Sequence, residues 1–266
     1  MEPRATRSPK AFSNIEESMS GQPDIRVFED PQALFQGAAE EFASQTTTAL
    51  PSRGRFTVAL SGGSTPRSLY RLLATRASLP WDKIYFFFGD ERHVPPDNPE
   101  SNYRMARESL LSKVPIPPEN IFRVLAENPD ANKAAEAYEQ TLRKFFDTAP
   151  GSFPRFDMVL LGMGPDGHTA SLFPGTKALQ ETSRWVVSNW VEKFKTDRLT
   201  LTLPVLNNAA VLMFLVSGQD KAGVLKDVLE GNKPGELFPS KLIKPLNGEL
   251  IWMVDRAAAA QLSGAF

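Results

Sequence analysis

Two titratable side chains, Asp166 and His168, stand in a glycine-rich turn directly after the apolar run of residues 156–161. The apolar run predicts a buried strand, and open α/β sheets bind their ligands outside the carboxyl ends of their strands. A neutral imidazole is a suitable general base near pH 7, and a carboxylate two residues away is placed to orient it. We therefore interpret this pair as a candidate catalytic centre; the alternative is a structural histidine.

A second cluster follows a predicted strand and consists of Ser61, Gly62, Gly63, Ser64, Thr65 and Pro66. Its glycine pair lets the backbone approach a ligand closely, and free N–H groups at the start of the next helix attract anions. With its three hydroxyl groups, the cluster predicts a phosphate site. A tight turn in which Thr65 caps the helix and Pro66 occupies its first position explains the same residues without a ligand.

Charged side chains also follow a third apolar strand, residues 83–88. We expect Arg92 to hold a phosphate or stabilise an oxyanion, and Asp90 to orient a sugar hydroxyl or a water. A solvated loop with an Asp–Arg pair is the alternative. Lys195 and Arg198 are candidates to bring positive charge to the same anion, unless they simply face water. Because the ends of neighbouring parallel strands meet at one edge of a sheet, these clusters are expected to converge.

The turn from Gly162 to Gly167 formally satisfies the pattern G-x-G-x-x-G of dinucleotide-binding folds. Against a dinucleotide stand Pro165 within the pattern, the break at Pro174, and the missing acidic residue about 20 positions further on. The two histidines and scattered carboxylates show no spacing typical of metal ligands, and there is no cysteine to supply a thiolate. We expect neither a metal nor a nucleotide cofactor.

The composition limits the remaining classes of function. The chain has 266 residues, 41% of them hydrophobic, and a net charge of −1, so nothing favours nucleic acid or a membrane surface. No apolar run approaches the roughly 20 residues of a membrane span. Residues 1–23 lack the apolar core of a secretory signal and are interpreted as a disordered leader, followed by one domain over residues 24–266. We expect a cytoplasmic protein, and favour a monomer.

Predicted strands alternate with predicted helices along the chain. The strands are residues 24–29, 55–60, 83–88, 156–161, 198–203, 210–216 and 249–254, with an edge strand at 121–125 and a proline-rich loop after residue 89. Two predicted helices begin at Pro31 and Pro66. Three more span residues 101–112, 131–146 and 219–229, and a final helix is capped by Asp255. This order predicts an α/β fold with a mostly parallel sheet and helices on both faces, a Rossmann-like three-layer sandwich.

Together, these segments resemble the 6-phosphogluconolactonase family. Four segments carry the resemblance, in the family's order: SGGSTP (61–66), GDERHVPPDNPESNY (89–103), LGMGPDGHTASLFPG (161–175) and RLTLTLPVLNNA (198–209). The resemblance implies a single α/β domain related to glucosamine-6-phosphate deaminases and ribose-5-phosphate isomerases. It also implies hydrolysis of 6-phospho-D-glucono-1,5-lactone to 6-phospho-D-gluconate in the oxidative pentose phosphate pathway, without a cofactor.

The resemblance also implies roles for individual residues. His168 is the general base that activates water, and the oxyanion is stabilised by Arg92 or by amides of the glycine turn at Gly164. The substrate phosphate rests on residues 62–65, and Arg198 and Lys195 add charge. Asp90 and Asp166 organise the site.

Two other functions are considered. Glucosamine-6-phosphate deaminases share the DGH triplet, but their pattern continues towards Asn-Glu-Pro, whereas residues 169–175 here contain no carboxylate. A non-catalytic sugar-phosphate regulator usually carries an attached DNA-binding module with a basic face, for which the first 23 residues are too short and too mixed in charge.

Overall fold

Strands and helices alternate along residues 23–264, the part of the chain that this computed structural model describes. The strands are β1 (Asp24–Phe28), β2 (Phe56–Leu60), β3 (Ile84–Phe88), β4 (Asp90–Arg92), β5 (Met158–Leu161), β6 (Val186–Val191), β7 (Thr196–Leu201), β8 (Val211–Val216) and β9 (Glu249–Asp255). The α-helices are α1 (Pro31–Arg53), α2 (Ser64–Leu73), α3 (Asn102–Ala106), α4 (Ala131–Phe146), α5 (Leu203–Asn207), α6 (Ala222–Leu229) and α7 (Arg256–Ala259). The predicted leader, residues 1–23, lies outside the described residues apart from Pro23.

Six of the strands form a parallel sheet in the order β1-β9-β8-β5-β2-β3. Every residue of β2, β5 and β8 is buried. Near-continuous apolar strands of this kind are typical of parallel sheets that are covered on both faces. The predicted α/β architecture is confirmed.

Helices cover both faces of this sheet. Phe56 of β2 contacts Phe42 of α1, with ring centroids 5.5 Å apart. On β3, Ile84 is in register with Phe56, and the next residue, Tyr85, contacts Phe145 of α4 at 5.3 Å. Because successive side chains of a strand point to opposite faces, α1 and α4 lie on opposite sides of the sheet. The result is the predicted three-layer sandwich.

The ends of α1 follow from its sequence. Asp30 accepts a hydrogen bond from the N–H of Ala33 at 2.8 Å, and Pro31 occupies the first position of the helix, as predicted. Gly54 ends the helix at φ 66°, a left-handed conformation that glycine adopts without steric cost. None of the helices within residues 23–264, this 23-residue helix included, is long and apolar enough to cross a membrane.

A second sheet was not predicted. It has three antiparallel strands in the order β4-β7-β6. The predicted strand at 198–203 exists, but it pairs within this small sheet. Residues 90–92, predicted as part of a loop, are a strand, and β6 was missed. Gly89 joins the two sheets, because its N–H bonds to Leu60 of β2 at 2.8 Å and its carbonyl accepts from Leu201 of β7 at 2.9 Å.

Two further predictions are wrong in part. The edge strand at 121–125 is reduced to one bridge between Ile121 and Phe86, since the chain then turns into a segment where Arg123 binds Glu127. The predicted helix over 101–112 is α3 followed by a π-helical turn, Arg107–Leu111. That turn begins directly after α3 and shifts the register of the hydrogen bonds by one residue.

Candidate active site

A cleft of about 210 Å³ opens at the carboxyl ends of β5, β2 and β3. The predicted site residues that line it are Ser61, Gly62, Gly63, Ser64, Thr65, Asp90, Arg92, Gly164 and His168. Three segments that are far apart in sequence therefore meet at one edge of the parallel sheet. Asp166 contacts His168 from the side, whereas Lys195 and Arg198 do not line the cleft.

The turn after β2 leads directly into α2. Gly63 has φ 108° and stands before the helix, which begins at Ser64. The prediction that Thr65 caps this helix and Pro66 occupies its first position is wrong: the helix begins at Ser64, two residues before Pro66, and no side chain caps it. The first N–H groups of a helix have no intrahelical partner, so this turn presents uncapped donors to the cleft.

Tyrosine hydroxyls fix the ends of two strands beside the cleft. The Tyr70 hydroxyl donates to the carbonyl of Ser61 at 2.8 Å and accepts from the N–H of the same residue at 2.9 Å. Tyr138 does the same for Phe88, at 3.1 and 2.8 Å. Burial raises the pKa of both phenols above their usual range, so both remain protonated donors. The backbone entering the cleft is thus held by side chains from α2 and α4.

The loop after β5 folds so that the His168 ring lies on Gly164. The N–H of Gly164 donates to the carbonyl of His168 at 2.9 Å, and a Cβ on this glycine would come within 2.0 Å of Nδ1. Gly167 has φ 73° and its N–H donates to the Gly164 carbonyl at 3.0 Å. Glycine is required at position 164 for the ring to occupy its place.

Asp166 holds the His168 ring through a hydrogen bond between Oδ1 and Nδ1. Burial alone would raise the pKa of Asp166, but the hydrogen bond and charge of His168, with a smaller contribution from Lys193, hold that pKa well below its usual range. An ionised carboxylate favours the tautomer with the proton on Nδ1. Nε2 then keeps its lone pair, and it makes no hydrogen bond within residues 23–264.

Aromatic contacts also restrict the orientation of the His168 ring. The His168 ring stacks on Phe173, with centroids 4.1 Å apart. Phe173 in turn contacts Phe194 at 5.8 Å, in the turn between β6 and β7. The turn between β6 and β7 of the small antiparallel sheet therefore packs against Phe173, which in turn packs against the imidazole.

Carboxylates on the neighbouring segment are occupied by structural hydrogen bonds. Asp90 is buried; its Oδ2 accepts from Ser171 Oγ at 2.7 Å and its Oδ1 from Asn102 Nδ2 at 3.3 Å. Glu91 is 2% exposed and accepts from the N–H groups of Arg92, Asn102 and Tyr103 at 2.7–2.8 Å. Burial raises the pKa of Glu91 in spite of these bonds. Both carboxylates thus anchor the chain around α3.

Of the three predicted cationic residues, Arg92 lines the cleft, whereas Arg198 and Lys195 do not. Arg92 lines the cleft and donates to the carbonyl of Glu100. Arg198 faces Arg92 across the β4–β7 pair; burial, with the nearby Arg92, lowers the pKa of Arg198. Lys195 stands in the turn between β6 and β7 with φ 48°, away from the cleft.

Three lining residues with polar side chains were missed from the sequence: Asn102, Ser217 and Lys221. Ser217 and Lys221 follow β8, which pairs with β5, so the end of β8 reaches the same edge of the sheet. Asp255 fixes this segment by accepting from Ser217 Oγ at 2.5 Å and from the N–H of Gly218 at 3.1 Å. The signal that would have found Ser217 and Lys221 is their place shortly after β8, a fourth buried strand.

Metal sites and dinucleotide sites each have structural features that can be recognised. Among the described residues, no group of three His, Cys, Asp or Glu side chains lies close enough to hold a metal ion. After the glycine-rich loop the chain continues into a short 3₁₀ turn at Lys177–Gln180 and not into the long helix of a dinucleotide site.

Comparison with known proteins decides the family. Residues 29–252 match the family model described as glucosamine-6-phosphate isomerases/6-phosphogluconolactonase. The chain belongs to this family. It is 45% identical over 239 residues to the 6-phosphogluconolactonase of Nostoc sp., covering 90% of this chain and 98% of that protein. It is 41% identical over 248 residues to the 6-phosphogluconolactonase of Rattus norvegicus, covering 91% and 95%. The resemblance inferred from the four motifs is confirmed.

Solved structures of the family share the fold. A 6-phosphogluconolactonase from Trypanosoma cruzi superposes with a TM-score of 0.82 at 33% identity, covering 93% of this chain and all of that one. A monomeric glucosamine-6-phosphate deaminase superposes with a TM-score of 0.75 at 23% identity, covering 90% and 99%, which shows a common fold. Both branches of the family therefore use this architecture, and the contents of the site must distinguish them.

Proposed function

We propose that this chain is a 6-phosphogluconolactonase, which hydrolyses 6-phospho-D-glucono-1,5-lactone to 6-phospho-D-gluconate. The observation that carries the proposal is the pairing of Asp166 with Nδ1 of His168, which leaves Nε2 as a base in a cleft that also contains an anion-binding turn. The relatives named 6-phosphogluconolactonase match nearly the full described chain and support the same reaction.

The phosphate of the substrate would bind at the turn formed by residues 62–65. The uncapped N–H groups at the start of α2 supply donors, and the partial positive charge of the helix terminus favours an anion. Lys221 and Arg92 line the same cleft and supply full charges. This anchor holds the lactone in one orientation relative to His168.

His168 would then act on water. Nε2 accepts a proton from a water molecule as its oxygen attacks the lactone carbonyl C1, and Asp166 stabilises the imidazolium that forms. The negative charge on the carbonyl oxygen is stabilised by Arg92 or by a loop N–H group other than those of Gly164 and Gly167, which donate to carbonyls of their own loop. Collapse of the intermediate breaks the bond between C1 and the ring oxygen, which takes the proton from His168. The ring opens without a covalent intermediate on the protein.

Asp90 would organise the site and not act as a base. Both of its carboxylate oxygens accept hydrogen bonds, from Ser171 and Asn102.

The deaminase alternative needs a further carboxylate near the histidine. Within the described chain, Asp166 is the carboxylate that contacts His168, and residues 169–175 supply none. This composition favours lactone hydrolysis over deamination.

The predicted domain organisation, assembly and location are part of the same proposal. The pairing of β1 with β9, Asp24 with Ile251, joins both ends of the described chain in one sheet and supports a single domain over residues 24–266. A monomer in the cytoplasm remains our prediction. The sequence without cysteine suits a reducing compartment.

The direct test is the hydrolysis of freshly generated 6-phosphoglucono-1,5-lactone, measured above its spontaneous rate. A parallel assay follows ammonia release from glucosamine 6-phosphate. We expect acceleration in the first assay alone. Ammonia release without lactone hydrolysis would assign the deaminase reaction, and binding of 6-phosphogluconate without either turnover would indicate a regulator.

A further inference from the structure

The side-chain amide of Asn102 carries a buried oxygen without a partner. Asn102 is 2% exposed and lines the cleft. Its Nδ2 donates to the carbonyl of Asp90 at 3.0 Å and to Oδ1 of the same residue at 3.3 Å. Since both of these atoms are acceptors, the amide is oriented with its nitrogen towards Asp90. Its Oδ1 makes no hydrogen bond within residues 23–264.

This oxygen lies directly over the phosphate-binding turn. A Cβ on Gly62 would come within 1.9 Å of Asn102 Oδ1. The absence of a side chain at position 62 therefore makes room for the amide of Asn102. Asp90 is itself fixed by the hydroxyl of Ser171 at 2.7 Å. A chain of hydrogen bonds from Ser171 through Asp90 thus sets the position of the unpaired acceptor.

An unpaired buried acceptor indicates a donor that arrives with the ligand. Buried polar groups in proteins are nearly always paired, because leaving one unpaired loses its hydration without compensation. In a phosphorylated gluconolactone at neutral pH, the phosphate, the carbonyl oxygen and the ring oxygen are mainly acceptors. The ring hydroxyl groups are the donors that such a ligand offers.

We propose that Asn102 is a substrate-binding residue that selects the sugar, with Oδ1 accepting a hydrogen bond from a ring hydroxyl at C2, C3 or C4. This inference rests on the proposed function. A site built around a hydroxyl strongly rejects an analogue that lacks it, because the protein acceptor is then left unpaired. Asp90 and Ser171 are positioning residues, because they act through the amide.

The test compares the lactone with its 2-deoxy, 3-deoxy and 4-deoxy analogues, all carrying the 6-phosphate. We expect the wild type to show at least about 10-fold lower kcat/KM with one of the analogues. In Asn102→Ala, the parent lactone should lose a similar factor, and the ratio between parent and that analogue should fall to within about twofold of one. An unchanged ratio in the variant would overturn the proposal.

Asn120→Ala is the matched control. Asn120 is also buried, and its Nδ2 donates to the carbonyl of Asp82 at 3.0 Å, outside the cleft. This variant should lose stability yet keep the wild-type preference among the four substrates. Loss of the preference in both variants would mean that general loosening, and not the Asn102 oxygen, sets the selectivity.

If Asn102→Ala does not fold, the kcat/KM values of the wild type for the parent lactone and its three analogues still test the role of Asn102. Equal kcat/KM for the parent and all three analogues would overturn the role of Asn102 and leave the lactonase function intact. No acceleration of the parent lactone would instead reject the proposed function itself. The two failures are therefore distinguishable in the same set of assays.

Discussion

Two segments bring carboxylates to the same edge of the sheet, and they use them in opposite ways. In the 162–168 loop, Asp166 is partly exposed and orients an imidazole whose second nitrogen is free. In the 89–103 segment, Asp90 and Glu91 are buried and each accepts at least two hydrogen bonds. The free lone pair, and not the type of side chain, distinguishes a reactive group from a structural one.

The acid–base behaviour of the two segments differs accordingly. Burial raises the pKa of Glu91, since its bonds come from neutral N–H and hydroxyl donors. The pKa of Asp166 lies well below its usual range, because His168 and Lys193 outweigh the cost of its burial. A negative charge is therefore maintained beside the imidazole, where the proposed reaction creates a positive charge.

The largest effect is expected from substitution of His168. His168→Ala should lower kcat for lactone hydrolysis by about 10²–10⁴-fold, the usual contribution of a general base. His93→Ala is the matched control, because His93 Nε2 contacts the carbonyl of Asn128 at 2.6 Å and the ring does not line the cleft. It should keep kcat within about twofold of the wild type.

Initial rates and thermal melting of both variants provide the measurement. A melting temperature of His168→Ala within about 3 °C of the wild type would show that chemistry, not folding, is lost. Retained activity in His168→Ala would move the base to another residue and remove the contrast between the two segments.

Glu91→Gln tests the structural side of the comparison. Gln keeps one accepting oxygen, but its amide nitrogen cannot accept. The buried donors that face this nitrogen become unpaired, either the N–H groups of Arg92 and Asn102, which bond to Oε1, or that of Tyr103, which bonds to Oε2. We expect a loss of about 2–4 kcal/mol in the free energy of unfolding, measured with urea.

Glu100→Gln, on the exposed part of the same segment, is the control and should change stability by no more than about 0.5 kcal/mol. Equal stability of the two variants would show that the bonds of Glu91 do not hold this segment.

The smallest effect concerns the cations. Lys221→Ala should raise KM about 10-fold, since it removes a charge that lines the cleft. Lys195→Ala should change KM by less than about twofold, because Lys195 lies in the turn between β6 and β7, outside the cleft. Steady-state kinetics at constant ionic strength measures both. The reverse order would restore the role first predicted for Lys195.

The parallel sheet was predictable because its strands are apolar runs closed by turns. Asp166 and His168 were found for the same reason, since they follow such a run directly. The strand β4 has only three residues, too few to show a period, and β6 contains Ser188 and Asn189, which interrupt its apolar pattern. Both depend on pairing with β7, which is a tertiary property.

The choice between Lys195 and Lys221 also could not be made from the sequence. Lys195 lies near the motif RLTLTL and was therefore preferred, whereas Lys221 follows β8 and reaches the cleft only because β8 pairs with β5. Asn102 was missed because its position depends on a hydrogen bond to Asp90 across the turn. Sequence proximity does not report which strand ends are neighbours in space.

The two tyrosine bonds at the ends of β2 and β3 have a consequence for binding entropy. Tyr70 and Tyr138 each satisfy both backbone groups of the residue they hold, so these strand ends need no ligand to become ordered. This edge of the cleft is therefore preorganised, so little conformational entropy would be lost there on binding of a ligand. Interaction energy that would otherwise order a loop remains available to stabilise the transition state.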